Sequence, residues 1–381
     1  MICLKGITWG HIRAYDPLRA AAEEYLRQRG VHVVWENRDL RAFEHQPLSE
    51  VVKQYDLVVY DYPHSGMVFS GSLFSPLNDI EALGTDKEGD YIGPSLASYR
   101  YQDKQYGAPL DGATTHGLYR ADLLARLDRP VPRSWQEAID LGREARARGL
   151  YLALPVAAPH GYMAIAALCS NMGYAVSLDP EKPFCMDRGA LRRAVELFDS
   201  LWACCHPECL SWNSISLHNH MAVRDDIVYC PCVYGYAVYG ENGIYEHRLS
   251  FSDFAGAQEP FCAGSALGGT GLAVSADSPN QEAAMEYTAW MMRPEVQMDI
   301  FCRHHGQPGR VEGWHDAGLD ALTNGFYSGA RKTMETAWVR PRFQGYLFEA
   351  EAAAMVEAHV HGEIPAKELV DRICSLAERY S

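Results

Sequence analysis

The sequence predicts an α/β fold organised as two lobes, and three observations lead there. First, 381 residues exceed what one ordinary hydrophobic core supports, so the chain divides. Second, the first third alternates strand and helix. CLKGITW reads as a strand, DPLRAAAEEYLRQRG as an amphipathic helix capped by Asp16 with Pro17 in its first turn and Gly30 beyond its end, and VHVVWEN as the next strand, which makes a βαβ unit. Third, a helix over 48–54 leads into DLVVYDY, an apolar run of the kind buried on both faces of a parallel sheet.

The remaining elements follow from the same signals. Helices are expected at 121–127, 134–148, 160–172 and 187–203, and DDIVYCPCVYGYAVYG reads as a strand with its exit loop. GLAVS is a further strand, followed by a helix over 280–292, and the chain ends in a helix over 366–380. No internal repeat, low-complexity tract or long linker interrupts the pattern.

Two separated segments carry a more specific signal. In YGAPLDGATTHGLYRADLLARLDRPVPRSWQEAIDLG, Tyr106, Gly107 and Pro109 form a turn that leads into a strand ending at Leu118 and Tyr119. Pro130, Pro132, Ser134, Trp135 and Glu137 then introduce a helix. In GGTGLAVSADSPNQEAAMEYTAWMMRPEVQ the matching positions are Gly268, Gly269, Gly271, Ser275, Ser278, Asn280, Glu282, Ala283 and Ala284, then Pro294 to Gln297. In order and spacing both segments resemble the family 1 extracellular solute-binding proteins of ABC transporters.

That resemblance implies the two-lobed, type II periplasmic-binding-protein-like fold, with three crossovers and a ligand cleft between the lobes. Lobe 1 is expected to comprise 1–110 plus 261–307, and the helix-rich lobe 2 to comprise 111–260 plus 308–381. It further implies capture of a small organic molecule for an ABC permease, hinge closure around it, a monomer, no cofactor and no metal. A transport component of this kind catalyses nothing itself.

Composition bounds the partners. The net charge of −15 is spread along the chain with no basic run, which argues against nucleic acid and anionic membrane surfaces. No window approaches about 18 uninterrupted apolar residues, so no membrane insertion is expected. The family normally carries a secretion signal, whereas MICLKGITWG begins directly as a strand. The eleven cysteines, including Cys185 and the adjacent pair Cys204 and Cys205, also suit a reducing compartment. The expectation is a cytoplasmic protein, or a periplasmic or extracellular one if the chain is a trimmed form.

Ligands of open α/β sheets sit outside the carboxyl ends of the strands. This points to Trp9, His11, Arg13 and Tyr15 after the first strand, and to Asp61, Tyr62 and His64 after DLVVYDY. Asp111, Thr114 and His116 lie on the crossover. Trp212, Tyr229, Tyr234 and Tyr236 are the second lobe's candidates, and Gly269 and Thr270 allow close backbone approach. Aromatic faces suit a sugar ring, and Asp61 and Asp111 suit hydroxyl groups. Arg13 suits a carboxylate or phosphate, or else pairs with Asp16 or another acid. Asp61 equally fits the cap of a turn. The residues leave sugar, aromatic and carboxylated ligands open.

Two other chemistries are written in the cysteines. CCHPEC, with Cys204, Cys205, His206 and Cys209, combines thiols with an imidazole, the donor set of zinc, although its spacing matches no zinc ribbon or finger. The main alternative function is a cytoplasmic enzyme on the same fold, because type I thiaminase looks like a member of this superfamily and uses a cleft cysteine. Cys230 and Cys232 are its candidate nucleophiles, with His11, His64 and His116 as bases. The crossover segment PLDGATTH has no cysteine, which sets the chain apart from the thiaminase pattern. No G-x-S-x-G, Walker A or dinucleotide fingerprint is present.

Overall fold

The structure, a computed structural model, describes residues 2–39, 42–43, 46–174, 187–341 and 345–380. Cys185 lies outside the described residues. Along the chain come β1 (Cys3–Trp9), α1 (Ile12–Arg29), β2 (His32–Arg38), β3 (Leu57–Asp61) and β4 (Ala108–Pro109). Next are β5 (Ala113–Tyr119), α2 (Trp135–Ala147), β6 (Tyr151–Leu152), α3 (His160–Asn171), α4 (Arg188–Trp202), α5 (Ser214–Met221), β7 (Ile227–Tyr234) and β8 (Ser250–Ser252). Then follow β9 (Thr270–Val274), α6 (Gln281–Met291), α7 (Phe326–Glu335), α8 (Gly345–Val360) and α9 (Ala366–Arg379). The elements expected from sequence pattern recur within a few residues of their expected bounds.

The chain folds as two compact units, 1–113 with 268–319 and 114–267 with 320–381, so it passes between them three times. The sequence reading put these passages after 110, 260 and 307; the units divide at 113, 267 and 319. Leu110 and Asp111 both donate from their backbone to the Thr270 carbonyl, and Gly112 exchanges bonds with Gln307. These bonds hold 110–113 to the first unit.

Unit 1 is built on a five-stranded sheet in the order β2-β1-β3-β9-β4. β1 runs parallel to β2 and β3, while β9 is antiparallel to β3 and β4. Leu57, Val58, Val59 and Tyr60 of β3 are fully buried, as expected of a central strand covered on both faces. α1 presents Ala14, Leu18, Ala21, Ala22 and Tyr25 to the core at helical spacing. It begins four residues before the Asp16 cap that the sequence suggested. His11 is the N-cap, its Nδ1 accepting from the Arg13 N–H at 3.2 Å. Pro17 therefore sits inside the helix, on the buried face. Gly30 ends α1 in the left-handed region, φ 69°, with its N–H on the Leu26 carbonyl.

The motif residues of the Gly268–Gln297 segment have structural work in this unit. Asp56 accepts from the Lys5 N–H at 2.8 Å, from Ser278 Oγ at 2.5 Å and from Asn280 Nδ2 at 3.2 Å. Ser275 Oγ donates to the Val52 carbonyl at 2.7 Å. The segment after β9 is thereby bonded to the chain entering β3.

The second sheet has five strands, four of them in the order β8-β5-β7-β6 and the short strand Leu267–Gly268 also pairing with β5; β5 is antiparallel to β8 and β7, and β6 is parallel to β7. α2 starts at the Ser134 cap, whose Oγ accepts from the Glu137 N–H while Glu137 Oε2 accepts from the Arg133 N–H. This is a capping box displaced by one residue. Trp135 is fully buried and its indole donates to the Leu197 carbonyl of α4 at 3.0 Å. No described helix is long and apolar enough to cross a membrane.

One side chain organises the loop that follows β8. Asn171, at the end of α3, shares its two Nδ2 hydrogens among the carbonyls of Gln258, Pro260 and Ala263 at 2.9–3.1 Å, and its Oδ1 accepts from the Gln258 N–H. Truncating it removes three part-buried hydrogen bonds, each worth about 0.5–1.5 kcal/mol net. Asn171→Ala is therefore expected to lower unfolding free energy by about 2 kcal/mol or more in urea titration. An unchanged midpoint would show that water replaces the amide.

Candidate functional site

Four residues that the sequence singled out meet in unit 1. Asp111 Oδ2 accepts from Arg13 Nε at 2.9 Å and lies 2.7 Å from Arg13 Nη2. Its Oδ1 accepts from the Thr270 N–H at 2.8 Å and from Thr270 Oγ1 at 3.3 Å. Arg13 and Asp111 are 4% and 3% exposed, so the guanidinium and carboxylate satisfy one another inside the unit. Gly269 has φ +99°, and a Cβ there would stand 2.5 Å from the Asp111 carbonyl oxygen. Only glycine fits that approach.

The other unit 1 candidates are placed by local capping and packing. Asp61 Oδ1 accepts from the Tyr62 N–H at 2.8 Å, capping the 3₁₀ turn Tyr62–His64. Tyr62 is fully buried and meets Tyr99 edge-on at 6.0 Å. Tyr15 donates its hydroxyl to the Trp35 carbonyl at 3.2 Å. His64 is 7% exposed.

Trp9 ends β1 in register with Arg38 at the end of β2. The indole lies 5.0 Å from the Phe43 ring, and the Arg38 guanidinium sits over that same ring at 5.3 Å. Arg38 Nη1 donates to Gln46 Oε1 at 3.0 Å. Among the described residues, Arg38 Nε and Nη2, Trp9 Nε1 and Thr8 Oγ1 are buried with no hydrogen-bond partner. Burial, partly offset by Tyr55, holds the Arg38 pKa below its usual value. The paired carboxyl ends of β1 and β2 thus gather buried hydrogen-bond donors that meet no acceptor among the described residues.

In unit 2, Tyr234 closes β7 with the His160 ring at 6.2 Å and the Arg340 guanidinium at 6.0 Å. Arg340 Nη1 donates to Glu349 Oε2 at 3.2 Å, both side chains buried, and the His160 imidazole contacts Ser214 Oγ at 3.3 Å. Tyr236 packs edge-on against His218 at 5.4 Å. Tyr229 is fully buried within β7. Thr114 Oγ1 donates to the Ala266 carbonyl at 2.9 Å. Trp212 is engaged elsewhere, stacked on His206 at 5.3 Å.

The cysteine and histidine reading fares differently. Cys230 and Cys232 are buried in β7. Burial pushes the Cys230 thiol well up and the Cys232 thiol to about 12, the opposite of what a thiolate nucleophile requires. His116 lies between Phe251 and Phe326, at 5.8 and 5.4 Å, with Nδ1 on the Gly117 carbonyl at 3.0 Å. A Cβ at Gly235 would stand 1.8 Å from its Nε2. These three residues pack as core.

Sequence reasoning passed over Arg38, His160, Arg340 and Glu349. Arg38 fell one residue past the predicted strand VHVVWEN, and the other three sit in helices or loops with no motif around them. His160 and Arg340 meet Tyr234 only through the tertiary fold, which local pattern does not encode.

No family model matches the chain, and no curated protein matches it. Solved structures do. A solute-binding protein of an ABC transporter from Thermotoga lettingae, bound with alpha-D-tagatose, superposes with a TM-score of 0.84 over 100% of both chains at 16% identity. Maltose-bound MalE3 of T. maritima gives 0.84 over 99% of both at 14% identity. UgpB from Mycobacterium tuberculosis, in complex with glycerophosphocholine, gives 0.82 over 100% of this chain and 98% of its own at 15% identity. The fold is therefore the two-lobed type II periplasmic-binding-protein fold that the motifs implied.

Two measurements check the electrostatics. Asp111→Ala leaves the Arg13 charge buried and unpaired, and should cost about 3–5 kcal/mol, while Arg13→Met with Asp111→Leu should recover most of it. A single substitution without measurable loss in a urea titration would mean the pair is dispensable. His11 and His160 both have pKa values lowered from 6.5 to about 4, by burial first and then by Arg13 and Arg340 respectively. The unfolded chain takes up these protons first, so their contribution is fully present above pH 6.5 and falls as pH drops toward 4. His11→Gln and His160→Gln should each flatten the melting temperature between pH 6.5 and 4; an unaltered slope would remove these groups from the acid response.

Proposed function

We propose that this chain is a solute-binding protein that captures a small, oxygen-rich organic molecule for an ABC importer. The observation that carries the proposal is the full-length likeness to proteins solved with alpha-D-tagatose, maltose and glycerophosphocholine. The second support is the donor set Thr8, Trp9 and Arg38 at the carboxyl ends of β1 and β2, where α/β sheets bind ligands. Donors that meet no acceptor among the described residues fit a ligand rich in hydroxyl, carboxylate or phosphate oxygens.

The chemistry of unit 2 argues in the same direction. A catalyst of the thiaminase type needs a thiolate at neutral pH, and burial keeps Cys230 and Cys232 protonated. On this reading the protein returns its ligand unchanged, and its working partner is a permease.

A thermal-shift and calorimetry screen of sugars, polyols, sugar acids and glycerophosphodiesters tests this, with mass spectrometry of every compound that binds. The expected result is a ligand that raises the melting temperature and is recovered intact. Arg38→Gln should weaken that ligand about tenfold or more, the range for losing a charge-assisted hydrogen bond. Cys232→Ser should bind as the parent does. A ligand recovered with altered mass, and unaltered after Cys230→Ser or Cys232→Ser, would replace binding by catalysis.

A further inference from the structure

We propose that His206, His220 and Asp226 form a binding site for one divalent zinc-class ion in unit 2. The donor atoms of the three side chains all lie within 4.8 Å of one another. His220 Nε2 is 2.8 Å from Asp226 Oδ1, and His206 Nε2 is 3.7 Å from Asp226 Oδ2. Zinc takes imidazole nitrogen at about 2.0–2.1 Å and carboxylate oxygen at about 2.0–2.2 Å, so neighbouring donors of a tetrahedral site stand about 3.3 Å apart. The observed separations fall on either side of that figure. Small side-chain rotations bring all three donors onto one ion.

The cluster is held by regular structure rather than by a mobile tip. Asp226 immediately precedes β7, and its carbonyl accepts from the Tyr151 N–H of β6 at 2.7 Å. His206 donates its backbone N–H to the Leu152 carbonyl of the same strand at 2.9 Å. His220 occupies the last turn of α5. Trp212 lies flat against the His206 ring, 3° from parallel, and 4.4 Å from the His220 ring. Tyr151 meets His206 edge-on at 4.9 Å. The aromatic packing fixes both imidazoles before any ion arrives, which is what a preorganised site needs.

The side chains of His206 and His220 are 14% and 15% exposed and that of Asp226 is 33% exposed, so water reaches the carboxylate side. Two imidazoles and a carboxylate with one open position is a donor set that zinc and its first-row neighbours accept. Two hydrogen bonds oppose the ion: the one from His220 Nε2 to Asp226 Oδ1, whose proton must move to Nδ1 on ligation, and a cap made by His206. His206 Nδ1 accepts from the Glu208 N–H at 3.3 Å, which leaves its proton on Nε2. Ligation through Nε2 moves that proton to Nδ1 and gives up a long, weak cap.

The neighbouring thiols stand apart from the cluster. Cys205 Sγ donates to the Leu201 carbonyl at 3.5 Å, and burial raises its pKa. The donor group found among the described residues contains no thiol, so CCHPEC contributes His206 and not its cysteines. An ion here ties the end of α5 to the β6–β7 pair, and it stabilises the folded chain increasingly as its free concentration rises above its dissociation constant. The inference does not depend on the solute-binding reading.

The test is equilibrium dialysis against zinc chloride in a phosphine reductant, with parallel thermal melts. The parent protein should retain one zinc per chain more than His220→Gln, and zinc should raise its melting temperature. The isosteric Asp226→Asn preserves packing and should bind zinc roughly tenfold more weakly or worse. The double variant Cys205→Ser, Cys209→Ser should retain zinc as the parent does. Equal uptake by the parent and Asp226→Asn, or loss of zinc on replacing the thiols, would overturn the proposal and leave His220 and Asp226 as a simple hydrogen-bonded pair.

Discussion

Arg13 and Asp111 meet at 2.7 Å with almost no exposure to solvent, and much of unit 1 is arranged around that contact. Asp111 lies just before the chain leaves the unit after residue 113, and Thr270, bonded to the other carboxylate oxygen, lies just after it returns at 268. Arg13 comes from the first helix. One carboxylate thus joins the start of the chain to two of its passages between units. Gly112 and Gln307 extend the junction toward the segment that leads to the third passage.

An ion pair removed from water has little net energy to offer, because desolvation of both charges offsets most of their attraction. Its value is conditional. Either charge without the other would be costly enough to favour an alternative arrangement, so the pair selects the register in which α1, Asp111 and Thr270 coincide. The close approach at Gly269 has the same character, since any Cβ there would meet the Asp111 carbonyl. Together they explain why a polar, charged contact lies where an apolar one would have served for stability alone.

The two units use their polar side chains differently. In unit 1 the saturated groups, Arg13, Asp111, Asp56 and Ser278, tie segments together, while Thr8, Trp9 and Arg38 retain buried donors with nothing to bind among the described residues. That division separates framework from candidate recognition surface. In unit 2 the aromatic and imidazole groups cluster in pairs, such as Tyr234 with His160 and Trp212 with His206 and His220. Stacking holds those rings in fixed orientations, which suits them to receive a ligand or an ion without rearrangement.

The sequence by itself determined the fold class, most element positions and the two-lobe organisation. Periodicity, caps and turn residues are local signals: Gly30 ends α1 and Ser134 starts α2 as their positions implied. The motif residues that carried the family resemblance largely have structural roles, as with Ser275, Ser278 and Asn280 around Asp56 and Val52. Such residues are legible because the fold needs them at fixed spacing. Tertiary structure alone decided which charged and aromatic groups saturate one another. Sequence left Arg13 open between a ligand and an acid, and the structure pairs it with Asp111; it also stacks Trp212 on His206. Arg38 and Arg340 stood in no motif, and His206 was marked only by the thiols beside it in CCHPEC; its meeting with His220 and Asp226 is a tertiary contact that no sequence period encodes.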